Sequence, residues 1–483
     1  MVWQPLLEVL YVLLLTAVCG RIIYDTNNTA KTLAYLLLVV FVPVGGMVFY
    51  FFFGINYRKR TLYNKKIVDD YDLWQRVKKE MYERSVVAYQ QATDADRPDK
   101  RLVRYLVKEM SPLTAGNAVT LLTNGEEKFP AVLNALEAAR EHIHIEYYIY
   151  ENDNIGRAIK EVLIRKAGEG VKIRFIYDDF GSRSIRHSIA KQLRAAGVET
   201  FPFFRITFMA LASRLNYRNH RKIIIVDGEK GFVGGINVSD RYINNGGQRG
   251  SYWRDTHLMI EGPGVAYLQY LFIGDWNFCS GQKIQNVRQY FPDYKLVERP
   301  GDKVVQIAAS GPDSAHPTIL YSLLFALHQA EDEILITTPY LIPDQSIMDA
   351  IVVAALGGVT VKVLVPAITD SKLVGWAARS YYESLLSAGV KLYAYQKGFI
   401  HAKTMVVDRK LAIVGTANMD YRSFDLNFEV NALVYDTSLA TSLATVFEND
   451  LNDATEIDPT EWVRRSISSR LPEKIARLVS PLL

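Results

Sequence analysis

Apolar side chains crowd the start of this chain. From Thr32 to Tyr57, 26 residues pass without an Asp, Glu, Lys or Arg, and a membrane-spanning helix needs about 20. Pro43, Gly45 and Gly46 fall in the middle of the run, a placement tolerated better in membrane helices than in soluble ones. A second apolar stretch, Val2 to Gly20, has Glu8 as its only charge. Together they predict two transmembrane helices joined by a polar loop, Arg21 to Lys31. A cleaved signal peptide fits less well, because the start lacks a basic n-region. Residues 67–110 are polar and rich in both charges, and they predict a helical connector, with helices over Leu73–Arg84 and Leu102–Met110.

From about residue 115 the pattern changes and then repeats. The apolar strand 143–150 is answered by 334–341, and 171–179 by 361–370, with a helical stretch after each. Ala196-Gly197-Val198 is answered by Ala388-Gly389-Val390 at a helix end. Each half reads strand–helix–strand–helix–strand, so the repeat marks two similar domains rather than a solenoid. The expected division is 1–57 for a membrane anchor, 58–111 for the connector, and 112–295 and 296–483 for two α/β lobes. Each lobe should be a mixed sheet flanked by helices, the two related by pseudo-two-fold symmetry.

Composition sharpens this picture in only a few places. The 483 residues carry a net charge of +4, too mild to imply nucleic acid by itself. A mean hydropathy of +0.00 averages the apolar start with the polar remainder. Two distant cysteines, Cys19 and Cys279, cannot build a disulfide framework or a Cys-rich zinc site. Charge placement says more. Arg58, Lys59, Arg60, Lys65 and Lys66 directly follow the second apolar stretch. By the positive-inside rule they put the later residues, and the N-terminus, in the cytoplasm. They would also attract anionic lipid.

The sharpest repeat carries the chemistry. His220, Lys222, Asp227, Gly234 and Asn237 recur at identical spacing as His401, Lys403, Asp408, Gly415 and Asn418. Alternation puts His and Lys on one face of a strand. A turn at Asp227-Gly228 or Asp408-Arg409-Lys410 then brings the Asn back beside them. Two Lys and two Asn can hold a phosphate. Two His can divide the work at phosphorus, one attacking and one protonating the leaving oxygen. No metal or other cofactor is required, and HExxH, CxxC and Asp-rich sets are missing from the sequence. A carboxylate should orient each imidazole. The candidate in the first copy is Asp255 and in the second Glu429.

The two HxKxxxxD elements resemble the HKD motifs of the phospholipase D superfamily. Longer words are similar to bacterial cardiolipin synthases: YLIPD, RSYYESLLSAGVKLY, GFIHAKTMVVD, VGTANMDYRSFDLNFEVNA and WRDTHLMIEGPGV. The resemblance implies that two phosphatidylglycerol molecules react to give cardiolipin and glycerol, with one active site between two lobes. It implies His220 as nucleophile, His401 as acid and base, and Asp227 and Asp408 as structural groups near their turns. The implied partners are phosphatidylglycerol, cardiolipin and an anionic lipid surface, with no nucleic acid, and the implied location is the bacterial inner membrane, multi-pass, with the catalytic region cytoplasmic. The sequence is silent on oligomeric state. A water-using phospholipase D is the nearest rival. A nucleic-acid phosphodiesterase would not need two spans, and an inactive scaffold would not keep both motifs.

Two further stretches look suited to lipid. The first repeat has an insertion with Phe201, Phe203, Phe204, Phe208, Met209, Leu211 and Leu215, read as an apolar lip or a packed helix. The C-terminal residues, with Trp462, Arg464, Arg465, Arg470, Lys474 and Arg477 among Ile467, Leu471, Ile475 and Leu478, suggest a basic amphipathic helix broken at Pro472, read as lying on a membrane surface or as packing to close the fold.

Overall fold

The computed structural model describes residues 3–26, 29–53, 97–204, 217–244, 252–284, 287–292, 300–478 and 480, with scattered positions between 66 and 90. In the first lobe the strands are β1 (Leu113–Thr123), β2 (His142–Tyr147), β3 (Lys172–Tyr177), β4 (Glu199–Pro202), β5 (Lys222–Val226), β6 (Lys230–Gly234), β7 (Tyr252–Arg254) and β8 (Thr256–Glu261). The second has β9 (Lys303–Ser310), β10 (Glu333–Thr337), β11 (Leu341–Ile342), β12 (Thr360–Pro366), β13 (Lys391–Tyr395), β14 (Gly398–Ile400), β15 (Thr404–Val407), β16 (Leu411–Gly415), β17 (Met419–Asp420), β18 (Glu429–Tyr435) and β19 (Ala454–Glu456).

Fifteen of these form one continuous mixed sheet, in the order β19-β13-β12-β10-β15-β16-β18-β9-β1-β8-β6-β5-β2-β3-β4. Read outward from its centre, the first lobe runs β1-β8-β6-β5-β2-β3 and the second β9-β18-β16-β15-β10-β12. The two series correspond strand for strand. They meet where β1 pairs antiparallel with β9, Leu113 opposite Gln306. The central strands are buried on both faces. Ile223, Ile224 and Ile225 of β5 are all at most 1% exposed, each contributing about 1.5–3 kcal/mol of burial. Their apolar runs therefore do not alternate.

The N-terminal region departs from expectation. The stretch 32–57 is not one spanning helix. It begins with α2 (Thr29–Phe41) and α3 (Pro43–Phe53), 13 and 11 residues, each short of the roughly 20 that a bilayer requires. Pro43 lacks an N–H for the helical ladder and its ring opposes the preceding turn, so one helix ends and the next begins with Pro at its first position. The helix α1 (Trp3–Asp25) has 23 residues, but its last five belong to the expected polar loop, and it ends on an Arg21–Asp25 ion pair of 2.6 Å. Among the described residues no helix is long and apolar enough to cross a membrane. The expected two transmembrane helices are thereby overturned, and the cytoplasmic orientation drawn from them has no support in these helices.

Of the basic cluster behind them, 58–60 and 65 lie outside the described residues. Lys66 is not a surface charge. It is 4% exposed and pairs with Asp275 at 3.2 Å and Asp313 at 2.9 Å. In the connector, Asp99 caps the helix Lys100–Lys108 by accepting from the backbone N–H of Arg101 and Leu102. The expected helix over 73–84 lies mostly outside the described residues.

Candidate active site

Each motif histidine sits just before a buried strand and is tied by its backbone to the other lobe. The His220 N–H donates to Phe428 O at 3.0 Å, and the His401 N–H to Arg254 O at 2.7 Å. Strand β14, which leads into His401, lies parallel to β7 of the first lobe. This exchange carries to the side chains. His220 Nδ1 lies 2.9 Å from both oxygens of Glu429. His401 Nδ1 lies 2.7 Å from Asp255 Oδ2. Asp255 and Glu429 thus do meet the two imidazoles, but across the lobes, not within each copy as the sequence suggested. The reason is topological. Asp255 lies between β7 and β8, and Glu429 begins β18, beside the seam where the lobes join.

A neutral imidazole whose Nδ1–H is held by a carboxylate keeps its lone pair on Nε2. Both histidines, together with Asn237 and Asn418, line one cavity of about 730 Å³. Its walls mix apolar groups (Ile149, Phe180, Trp253) with polar ones (Tyr148, Arg218, Tyr340). The Tyr148 ring stands edge-on to His220 at 4.8 Å between centroids, and the Tyr242 hydroxyl lies 3.4 Å from His401 Nδ1. Asn237 donates to Tyr242 Oη at 2.9 Å, and Asn418 to Asp420 Oδ2 at 3.1 Å.

Lys222 begins β5, and Lys403 stands one residue before β15. Lys222 Nζ donates to His220 O at 2.7 Å, and Lys403 Nζ to His401 O. Burial dominates their chemistry. It pulls Lys222 down to about 7 and Lys403 to about 8, against the opposing pull of Glu429 and Asp255. Burial also lowers His220, and it takes His401, with help from the Lys403 charge, down to about 3. For Glu429, burial pushes upward, but His220 and Lys222 outweigh it and hold the carboxyl below its usual range. The cavity wall itself carries both signs, Arg218, Arg241 and Arg422 beside Asp370 and Asp420.

Asp227 and Asp408 are not brought to this cavity. Five residues of extended strand separate Asp227 from Lys222, roughly 16 Å. The Asp227 carboxylate accepts from the backbone N–H groups of Arg140, Glu141 and His142, each at 2.8 Å. Asp408 does the same for Glu331, Asp332 and Glu333 at 2.8–2.9 Å. Each fastens its turn to the start of the neighbouring strand, and each adopts a left-handed φ, 53° and 49°.

The glycines in the motif also have distinct reasons. A Cβ on Gly235 would overlap the Asp255 carboxylate. Its counterpart Thr416 instead donates its hydroxyl to Glu429. Of the other histidines, His142 and His144 flank Gln269. His257, beside Asp255, is fully buried, and among the described residues neither ring nitrogen has a hydrogen-bond partner; burial drives its pKa well down. It faces the core, not the cavity. In the insertion, Phe203 and Phe204 are core residues packed on Phe278, while 205–216 lie outside the described residues. Nothing in the motif spacing marks Tyr148, Arg218, Tyr242, Trp253 or Arg422 as cavity residues. Only their closeness to the motif words, as in YRNH, WRD and YRSF, hints at them.

A family model described as "Cardiolipin synthase, PLD-like domain" matches residues 132–267 and 323–451, the two lobes in turn. Cardiolipin synthase 2 of Bacillus cereus is 41% identical over 471 residues, 96% of this chain and 89% of that protein. The chain belongs to the phospholipase D-like cardiolipin synthases. It is a phosphatidyltransferase of the phospholipase D superfamily. The major cardiolipin synthase ClsA of Bacillus subtilis is 38% identical over 99% of both chains. A second family model, "Phospholipase D-nuclease N-terminal", matches 9–54. The crystal structure of phosphatidylserine synthase from Haemophilus influenzae shares the fold with a TM-score of 0.59 at 16% identity, covering 79% of this cardiolipin synthase and 99% of that chain.

Proposed function

We propose that the two imidazoles act in turn at the phosphorus of phosphatidylglycerol. His220 Nε2 attacks, a P–N bond forms, and the P–O bond to the headgroup glycerol breaks. His401, which burial keeps neutral in the empty site, takes a proton at Nε2 once the phosphodiester anion is bound and gives it to the departing glycerol oxygen. The terminal hydroxyl of a second phosphatidylglycerol then attacks phosphorus while His401 takes back a proton. The P–N bond breaks and cardiolipin leaves. Lys222 and Lys403 offset the phosphate charge, and Asn237 and Asn418 donate to its oxygens. Asp255 and Glu429 stabilise the imidazoliums as they form.

The observation that carries this reading is the exchange of carboxylates. Each histidine presents Nε2 to the shared cavity only when both lobes are in place, so the pair works as one unit. Cardiolipin is a membrane lipid, and we place the reaction at the bacterial cell membrane.

The test uses the full chain in membranes, with phosphatidylglycerol labelled in phosphate and in headgroup. Cardiolipin and free glycerol in equal amounts are expected. Phosphatidic acid as the sole lipid product would instead assign the second step to water.

A further inference from the structure

The C-terminal helix Ile467–Leu478 runs through Pro472 as one element and has two unlike faces. Glu473 and Ala476 are buried, and ion pairs clamp that side onto the helix Lys372–Ser387. Arg379 meets Glu473 at 3.1 Å, Arg470 meets Glu383 at 2.9 Å, and Lys474 meets Glu383 at 3.3 Å. The opposite face carries Ile467, Leu471, Ile475 and Leu478, exposed by 81%, 55%, 58% and 76%. At 100° per residue these four fall within an arc of about 80°. Val463, in the preceding short helix, is 54% exposed as well.

Charge narrows what could cover this row. Residues 459–478 hold Arg464, Arg465, Arg470, Lys474 and Arg477 against Glu461 and Glu473, and positive charge still leads when Glu383, the partner of Arg470 and Lys474, is included. A second copy of the chain would bring the same positive charge to the same face, whereas an anionic lipid surface complements both the charge and the apolar row. Position agrees. The helix that carries this ledge starts at the active-site cavity, where Asp370, Ser371 and Val374 line the wall. From Val374 to Arg379 is five residues, roughly 7.5 Å along the axis. Ile368, Leu373 and Trp376, exposed by 73%, 42% and 38%, add apolar surface near the cavity wall.

We propose that the C-terminal helix docks on an anionic phospholipid bilayer and so seats the cavity mouth against the lipid from which substrate is drawn. The second clause rests on the phosphatidylglycerol reading; the docking itself does not. The full chain, with Cys19→Ala and Cys279→Ala, takes an environment-sensitive dye at Leu471→Cys. Vesicles of phosphatidylglycerol and phosphatidylcholine with nitroxide-labelled acyl chains should quench it strongly, and pure phosphatidylcholine vesicles far less. The double variant Leu471→Ser, Ile475→Ser should lose on the order of tenfold in kcat/KM on phosphatidylglycerol vesicles. It should turn over monomeric short-chain phosphatidylglycerol at the unaltered rate, which shows the site intact. Absent quenching, or equal vesicle turnover by the variant, overturns the proposal. So does dye burial that rises with protein concentration without lipid, which would assign the face to a second copy. If the parent chain makes cardiolipin from neither substrate, the functional reading fails while quenching still reports the docking.

Discussion

Burial brings the titration of Lys222 and Lys403 close to neutral pH, and this has a direct consequence. With values near 7 and 8, both are ammonium below pH 7 and progressively neutral above it. A phosphodiester anion restores their charge when bound. KM for phosphatidylglycerol should therefore rise from about pH 6 to pH 9 while kcat changes less. A flat KM across that range would contradict the assignment. The histidines separate by role. With a phosphatidyl ester of 4-nitrophenol, whose leaving group needs no proton, His401→Ala should release a burst of nitrophenol and accumulate a phosphatidyl-enzyme. His220→Ala should do neither. Glu429→Gln should cost on the order of 10²–10⁴ in turnover by favouring the wrong tautomer of His220, although the two lie in different lobes. The His, Lys and Asn positions were legible in the sequence because their spacing repeats. The carboxylate partners were legible as residues but not as pairs, since an exchange between copies leaves no trace in either copy's spacing.

Strand β5 and its counterpart β15 separate chemistry at one end from fastening at the other. Asp227 and Asp408 belong to the fastening end. Asp227→Ala removes three hydrogen bonds to a carboxylate, and the lobe should lose about 3 kcal/mol or more. Denaturant titration would measure the loss, and kcat/KM of the folded fraction should stay near that of the parent. A drop in kcat/KM without a drop in stability would place Asp227 at phosphorus after all. Gly235→Ala is the converse case. The added methyl displaces the Asp255 carboxylate, so activity should fall at least tenfold while the unfolding midpoint moves little. At this scale the strand pairs were readable from apolar runs and turn residues. The N-terminal helices were not, because an uncharged run shows length but not the break that Pro43 makes.

One fifteen-stranded sheet runs through both lobes, and the candidate active site takes residues from each. Separately expressed lobes should be inactive, because His220 would lack Glu429 and His401 would lack Asp255. Mixing full-length His220→Ala and His401→Ala chains should likewise restore no cardiolipin synthesis. Recovery in the mixture would mean that the two histidines of one site come from different chains. The sequence showed two copies and a shared function, but not that the copies share a continuous sheet through β1 and β9. That pairing joins residues almost 200 positions apart, such as Leu113 and Gln306, with no motif at either. The exchanged carboxylates also bear on ancestry. A single-lobe forebear with this arrangement would have had no carboxylate for its own histidine, and could have been complete only as a two-fold pair of identical chains. Fusion of the duplicated gene would then have freed the halves to diverge, Asp in one and Glu in the other. From that point each carboxylate would have been selected together with the histidine of its sibling, not with the one encoded in its own repeat.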